Sequence, residues 1–111
     1  MEVSIRDEDH IKIIAVKGEV DLYSSPIFRE KLLAVTSANH KAILVDLEQV
    51  IYMDSSGIAT LVEALQAVGK YGGKLKIANL RDAVRDVFEL SRLDRVFDIS
   101  PTLEEAKQSF N

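Results

Sequence analysis

The chain has 111 residues and a formal net charge of −4. This length fits one domain, residues 1–111, and the acidic balance disfavours a nucleic-acid or acidic-membrane partner. A hydrophobic content of 47% indicates a globular fold, and the lack of cysteine excludes disulfides, thiolate metal sites and a cysteine nucleophile. The N-terminus lacks a signal peptide's apolar core, and no apolar run approaches the roughly 20 residues of a membrane span. We therefore expect a cytoplasmic protein.

The first part of the chain is predicted to form two strands and a helix. Residues 2–6 alternate between polar and apolar side chains and residues 11–18 are rich in β-branched residues, so a hairpin is the economical interpretation. Ser25 followed by Pro26 is typical of a helix N-cap and a first helical residue. The predicted apolar face of this helix consists of Ile27, Phe28, Leu32 and Val35.

Strands and helices alternate over the rest of the chain. The predicted segments are strands at 42–47, 74–80 and 96–99, and helices at 58–71, at 81–93 and after Thr102. The order β-β-α-β-α-β-α-β-α predicts an α/β fold, with a largely parallel mixed β-sheet packed with about four helices. Binding groups in such sheets lie beyond the carboxyl ends of the strands, where the loops 18–25 and 50–57 are expected.

Asp54, Ser55, Ser56 and Gly57 follow an apolar run and come directly before a helix. Their side-chain oxygens could cap the helix, which is worth about 1 kcal/mol, and Gly57 fits an entry turn or a close approach. Two hydroxyls exceed what one cap needs, however. A nucleophile, a metal ligand set and a phosphate acceptor are the other interpretations.

Two of these interpretations have little support. A serine nucleophile needs a nearby base, and the only histidines, His10 and His40, are expected at the opposite edge of the sheet. A carboxylate trio of Asp21, Asp46 and Asp54 has no fixed metal-ligand spacing. The chain also lacks a phosphate-binding G-x-x-x-x-G-K-[ST] loop. We therefore expect no catalytic residue, no metal site and no cofactor.

Phosphorylation suits this position better. A helix N-terminus has free N–H groups and partial positive charge, so it tolerates a phosphate. The phosphate adds about −1.5 to −2 charge beside Asp54. Such a change suits a switch at a docking surface, because the fold survives while binding is lost.

Three segments, residues 18–25, 43–65 and 74–99, resemble the anti-sigma factor antagonists of bacteria, which are single-domain members of the STAS family. The D-S-S-G-[LI] segment at 54–58 is the most specific piece. The resemblance implies a STAS-like fold without catalytic activity. It also implies that the unphosphorylated protein binds an anti-sigma factor serine kinase and thereby releases a sigma factor. Phosphorylation by that kinase ends the binding, and a serine phosphatase restores it.

By position, the resemblance makes Ser55 the phosphoacceptor, with Ser56 as the less favoured alternative. It implies partner contacts at Asp21 and Asp54, while Ser56 and Gly57 shape the helix entry. We extend the expected partner-binding surface along the exposed face of the helix at 58–71, namely Thr60, Glu63, Gln66 and Lys70. We expect a monomer. The alternative function is a non-switching STAS subunit of a larger signalling or transport assembly.

Overall fold

The computed structural model describes residues 1–110, which form one mixed β-sheet with helices on both of its faces. The strands are β1 (Glu2–Glu8), β2 (Ile11–Val20), β3 (Ala42–Met53), β4 (Lys74–Ala78) and β5 (Asp98–Ser100). The helices are α1 (Ser25–Ser37), α2 (Ser55–Lys70), α3 (Asp82–Leu90) and α4 (Leu103–Gln108), with a 3₁₀ turn at Leu93–Arg95. The α/β class, the predicted order of elements and the four helices are confirmed.

The strands lie in the order β1-β2-β3-β4-β5. β1 pairs with β2 in antiparallel fashion, and the remaining neighbours are parallel. The predicted hairpin is therefore correct, and each later strand joins the sheet through a helical crossover. The last pairs of β2 with β3 include Val20 with Met53. Both strands consequently deliver the chain to the same edge of the sheet.

Alternate residues of the strands face two separate cores. Ile14 and Val16 of β2 belong to the larger core, which also contains residues of α1, α2 and α3. Ile11 and Ile13 of the same strand belong to a smaller core with Ala106 of α4. This two-residue period explains why β2 and β3 are apolar on both faces.

Several element boundaries differ from the prediction, and three of these differences have a clear cause. β3 continues to Met53 instead of ending near residue 47, because it pairs with β2 beyond the point where β4 ends. α2 begins at Ser55, ahead of its first apolar residue, because Asp54 caps it. α3 ends at Leu90 rather than at 93, since Arg92 has a left-handed backbone conformation (φ 61°).

The start of α1 also differs. Its N-cap is Ser24 rather than Ser25, and no side-chain hydrogen bond caps the helix. Ile27 was predicted to be buried, yet it is 52% exposed. Phe28, Leu32 and Val35 form the buried face without Ile27, so Ile27 lies outside the apolar stripe.

Within residues 1–110, no helix is long and apolar enough to cross a membrane.

Candidate partner-binding site at the start of α2

The site lies where β2 and β3 end side by side. The amide of Asp54 donates to the carbonyl oxygen of Val20 at 3.1 Å, which joins the two strand ends. α2 starts at the next residue, Ser55. The β2–α1 loop and the start of α2 therefore form one continuous surface, as the sequence predicts.

Asp54 connects the two parts of this surface. Its Oδ1 accepts a hydrogen bond from the amide of Ser56 at 2.9 Å and another from the Ser56 hydroxyl. Its Oδ2 accepts a hydrogen bond from the amide of Leu22 at 3.2 Å. The Ser56 hydroxyl foremost, and then these backbone amides, lower the pKa of the Asp54 carboxyl. Asp54 is therefore a negative charge at neutral pH.

The two adjacent serines have different environments. Ser55 is exposed at the first position of α2, and its hydroxyl takes no part in the network around Asp54. Ser56 is partly buried, and its hydroxyl is committed to Asp54. Ser55 is thus the hydroxyl that a large partner can reach.

Gly57 lies beneath this surface. It is buried, and a Cβ atom added to it would lie 2.7 Å from Met53 Cγ and 2.8 Å from Val20 Cγ1. The absence of a side chain lets the first turn of α2 sit directly on the ends of β2 and β3. The expected close approach is confirmed, and Gly57 shapes the site from below.

Thr60 is not on the exposed face where it was predicted. The residue is only 5% exposed, and its hydroxyl donates to the carbonyl oxygen of Ser56 at 3.1 Å. Thr60 lies one turn after Ser56 on the inner side of α2, and this hydrogen bond satisfies its buried hydroxyl. Gln66 and Lys70 are exposed, as expected.

An ion pair joins α1 to α2 farther along this surface. Nε and Nη2 of Arg29 donate to the two carboxylate oxygens of Glu63, at 2.8 and 2.6 Å. This contact raises the pKa of Arg29 and lowers that of Glu63. Because both side chains are about half exposed, the pair contributes little to the stability of the fold.

The β2–α1 loop is held by Asp21 and Ser24. Oδ1 of Asp21 accepts hydrogen bonds from the amides of Tyr23 and Ser24, both at 3.0 Å. The Ser24 hydroxyl donates to the carbonyl oxygen of Glu19 at 2.9 Å. Sequence reasoning found Asp21 but missed Ser24 and Leu22. A serine three residues after an aspartate is a turn signal that could have indicated Ser24.

The other predicted groups lie elsewhere. His10 precedes β2 and His40 precedes β3, so both are at the edge opposite Ser55. Asp46 accepts hydrogen bonds from the Glu48 amide and from the side chain of Asn79. Among residues 1–110, no cluster of three or more His, Cys, Asp or Glu side chains could hold a metal ion. The histidines are therefore not placed to act as a base for Ser55.

Comparison with known proteins identifies this arrangement. The family model described as STAS domain matches residues 2–106. The anti-sigma-B factor antagonist of Bacillus subtilis is 32% identical over 104 residues, which are 94% of each chain. The anti-sigma-B factor antagonist of Listeria monocytogenes is 32% identical over 99 residues, covering 89% of this chain and 86% of the relative.

A solved structure agrees with these sequence matches. The crystal structure of an anti-sigma factor antagonist from Mycobacterium paratuberculosis superposes with a TM-score of 0.91 at 27% identity, covering 97% of this chain and 92% of the other. The resemblance seen in the sequence is confirmed. The chain belongs to the STAS domain family.

Proposed function

We propose that this protein is an anti-sigma factor antagonist that phosphorylation of Ser55 switches off. In its unphosphorylated form it binds an anti-sigma factor that is also a serine kinase, and so releases a sigma factor. A serine phosphatase restores the binding form. The protein acts in the cytoplasm as a monomer, and it needs no cofactor.

One observation carries the proposal: an exposed serine hydroxyl lies at the N-terminus of α2, outside the hydrogen bonds that hold the site together. A kinase can transfer a phosphate to Ser55 without first breaking a structural contact. Ser56 is a poor acceptor, because its hydroxyl would have to leave Asp54. The two relatives named anti-sigma-B factor antagonists support the same function.

Electrostatics explain why the modification switches binding without unfolding the protein. At the first position of α2, a phosphate gains from the positive end of the helix dipole. On the protein surface that a partner contacts, the same phosphate adds about −1.5 to −2 charge beside ionised Asp54. A surface complementary to the unmodified site would meet like-charge repulsion or an unpaired buried charge.

The test is an in vitro phosphorylation assay that uses a preparation of protein kinases from the protein's own host. Wild type, Ser55→Ala and Ser56→Ala would be incubated with ATP, and the modified residue identified by phosphopeptide mass spectrometry. We expect one phosphate on Ser55 in wild type and in Ser56→Ala, and none in Ser55→Ala. Phosphate on Ser56, or no phosphorylation of wild type, would contradict the proposed switch.

A further inference from the structure

Three large apolar side chains are exposed in the chain segment that follows β2. Leu22 is 69% exposed, Tyr23 is 88% exposed and Ile27 is 52% exposed. Single exposed apolar residues are normal on a protein surface, but three within six residues of chain concentrate exposed apolar area in one segment. Tyr23 and Ile27 line the same shallow groove. We call these three residues the apolar ridge.

The backbone of the ridge is held in place before any partner binds. The amide of Tyr23 donates to Asp21, and the amide of Leu22 donates to Asp54 Oδ2. Ile27 is in the first turn of α1, where its amide donates to the Ser24 carbonyl oxygen at 3.0 Å. An ordered backbone lowers the entropy cost of binding, so these side chains can contribute more of their burial energy to affinity.

The ridge is continuous with the proposed phosphorylation site. Leu22 is hydrogen-bonded to Asp54, whose next residue is Ser55. A kinase that reaches the Ser55 hydroxyl must therefore cover the residues next to the ridge. The groove beside the ridge also contains the acidic side chains of Glu19 and Asp21. Apolar surface with an acidic rim complements apolar side chains flanked by Lys or Arg.

We propose that the apolar ridge is the affinity and specificity anchor for the kinase, and that it receives apolar side chains of the kinase next to a basic residue. This inference rests on the proposed function and adds the residues that select the partner. A few fully buried side chains carry most of the binding energy of many protein interfaces, and tyrosine is enriched among them. In this arrangement Ser55 acts as the switch and the ridge supplies the binding energy.

The experiment uses the host kinase that phosphorylates Ser55 of the wild type. Its affinity for wild type, for Leu22→Ser/Tyr23→Ser and for Leu90→Ser would be measured by titration calorimetry. Leu90 is a matched control because it is 86% exposed at the end of α3, which runs back from the carboxyl edge of the sheet. Circular dichroism would confirm that both variants are folded.

We expect the double variant to bind about 30-fold or more weakly, and Leu90→Ser to bind within about 2-fold of wild type. Phosphorylation of the double variant should show a raised KM with kcat unchanged, since docking is lost and the acceptor is intact. Equal affinity of the double variant and Leu90→Ser would contradict the proposed role of the ridge in kinase binding. The proposed phosphorylation switch at Ser55 would not be affected by that result. If no host kinase modifies the wild type, the proposed function and this inference fail together.

Discussion

At the scale of single residues, Asp54 is the side chain on which the site depends most. One carboxylate caps α2 through Ser56 and holds the β2–α1 loop through Leu22. Sequence reasoning anticipated a cap at this position but not the contact with Leu22, because that contact spans 32 residues of sequence. A local pattern carries no information about a loop that only the folded sheet brings near.

Replacing Asp54 tests this double role. Asp54→Ala should lower the free energy of unfolding by about 1–2 kcal/mol, since a cap is worth about that much. Asp54→Asn should lose less, because asparagine is also a good N-cap, although it cannot serve all three donors at once. Urea unfolding at pH 7 measures both effects. Equal stability of all three proteins would contradict the role assigned to Asp54.

The same contacts predict a pH dependence. The pKa of Asp54 is lowered in the folded protein, so folding favours the ionised form. The stabilisation is therefore present above the unfolded pKa of about 3.9 and is lost as the pH falls through the lower folded value. The stability difference between wild type and Asp54→Asn should narrow below about pH 4. A difference that stays constant from pH 7 to pH 2 would show that ionisation of Asp54 contributes nothing.

At the scale of elements, the seating of α2 on the strand ends depends on Gly57. Its place in the sequence, just after a capping residue, suggested a turn or close approach. The structure shows the approach to Met53 and Val20. The sequence predicted the existence and type of this helix. Its start was predicted three residues too late, because the prediction began at the first apolar residue, Ile58. Polar residues that begin a helix by capping do not contribute to an apolar period.

Gly57→Ala and Gly69→Ala form a matched pair on α2. An added methyl at 57 meets side chains closer than normal contact, whereas at 69 it meets nothing within 4 Å. Gly57→Ala should destabilise the protein by about 1–3 kcal/mol through overpacking. Gly69→Ala should stabilise it by about 0.5–1 kcal/mol through helix propensity. Thermal unfolding of both variants measures these changes in stability. Stabilisation by Gly57→Ala would contradict the close contact.

At the scale of the whole molecule, the alternating strand and helix patterns predicted the fold class, the antiparallel first pair of strands and the largely parallel sheet. These patterns did not predict contacts between side chains that are far apart in the sequence. Lys76 is such a case: it is buried in β4, where its Nζ donates to the carbonyl and hydroxyl oxygens of Ser109 and pairs with Asp98. The strand pattern gave no reason to expect a buried lysine held by the end of the chain.

The same limit applies to the candidate site. Asp54, Ser55, Ser56 and Gly57 were selected from their local motif and Asp21 from the resemblance to the family, and their roles in partner binding stay predictions. Thr60 was misplaced because helical spacing alone did not show which side of the first turn faces inward. The apolar ridge was missed because Ile27 fits an apolar period although its side chain is half exposed.

The charged edge strand β1 is consistent with the expectation that the protein is a monomer. Its exposed side chains include Glu2, Arg6 and Asp7, and charges on an edge strand discourage pairing with a second sheet. At the other edge, β5 has only three residues. The monomer stays a prediction, with sedimentation of the purified protein as its measurement.

The central claim is that one phosphate on Ser55 removes kinase binding while the fold is kept. The most direct measurement is the affinity of the host kinase for the unmodified protein and for the protein stoichiometrically phosphorylated on Ser55, with thermal unfolding of both forms. We predict a loss of affinity of about 100-fold or more, as expected for an unpaired charge in an interface. The melting temperatures of the two forms should stay within a few degrees. Equal affinity of the two forms, or an unfolded phosphoprotein, would contradict the account.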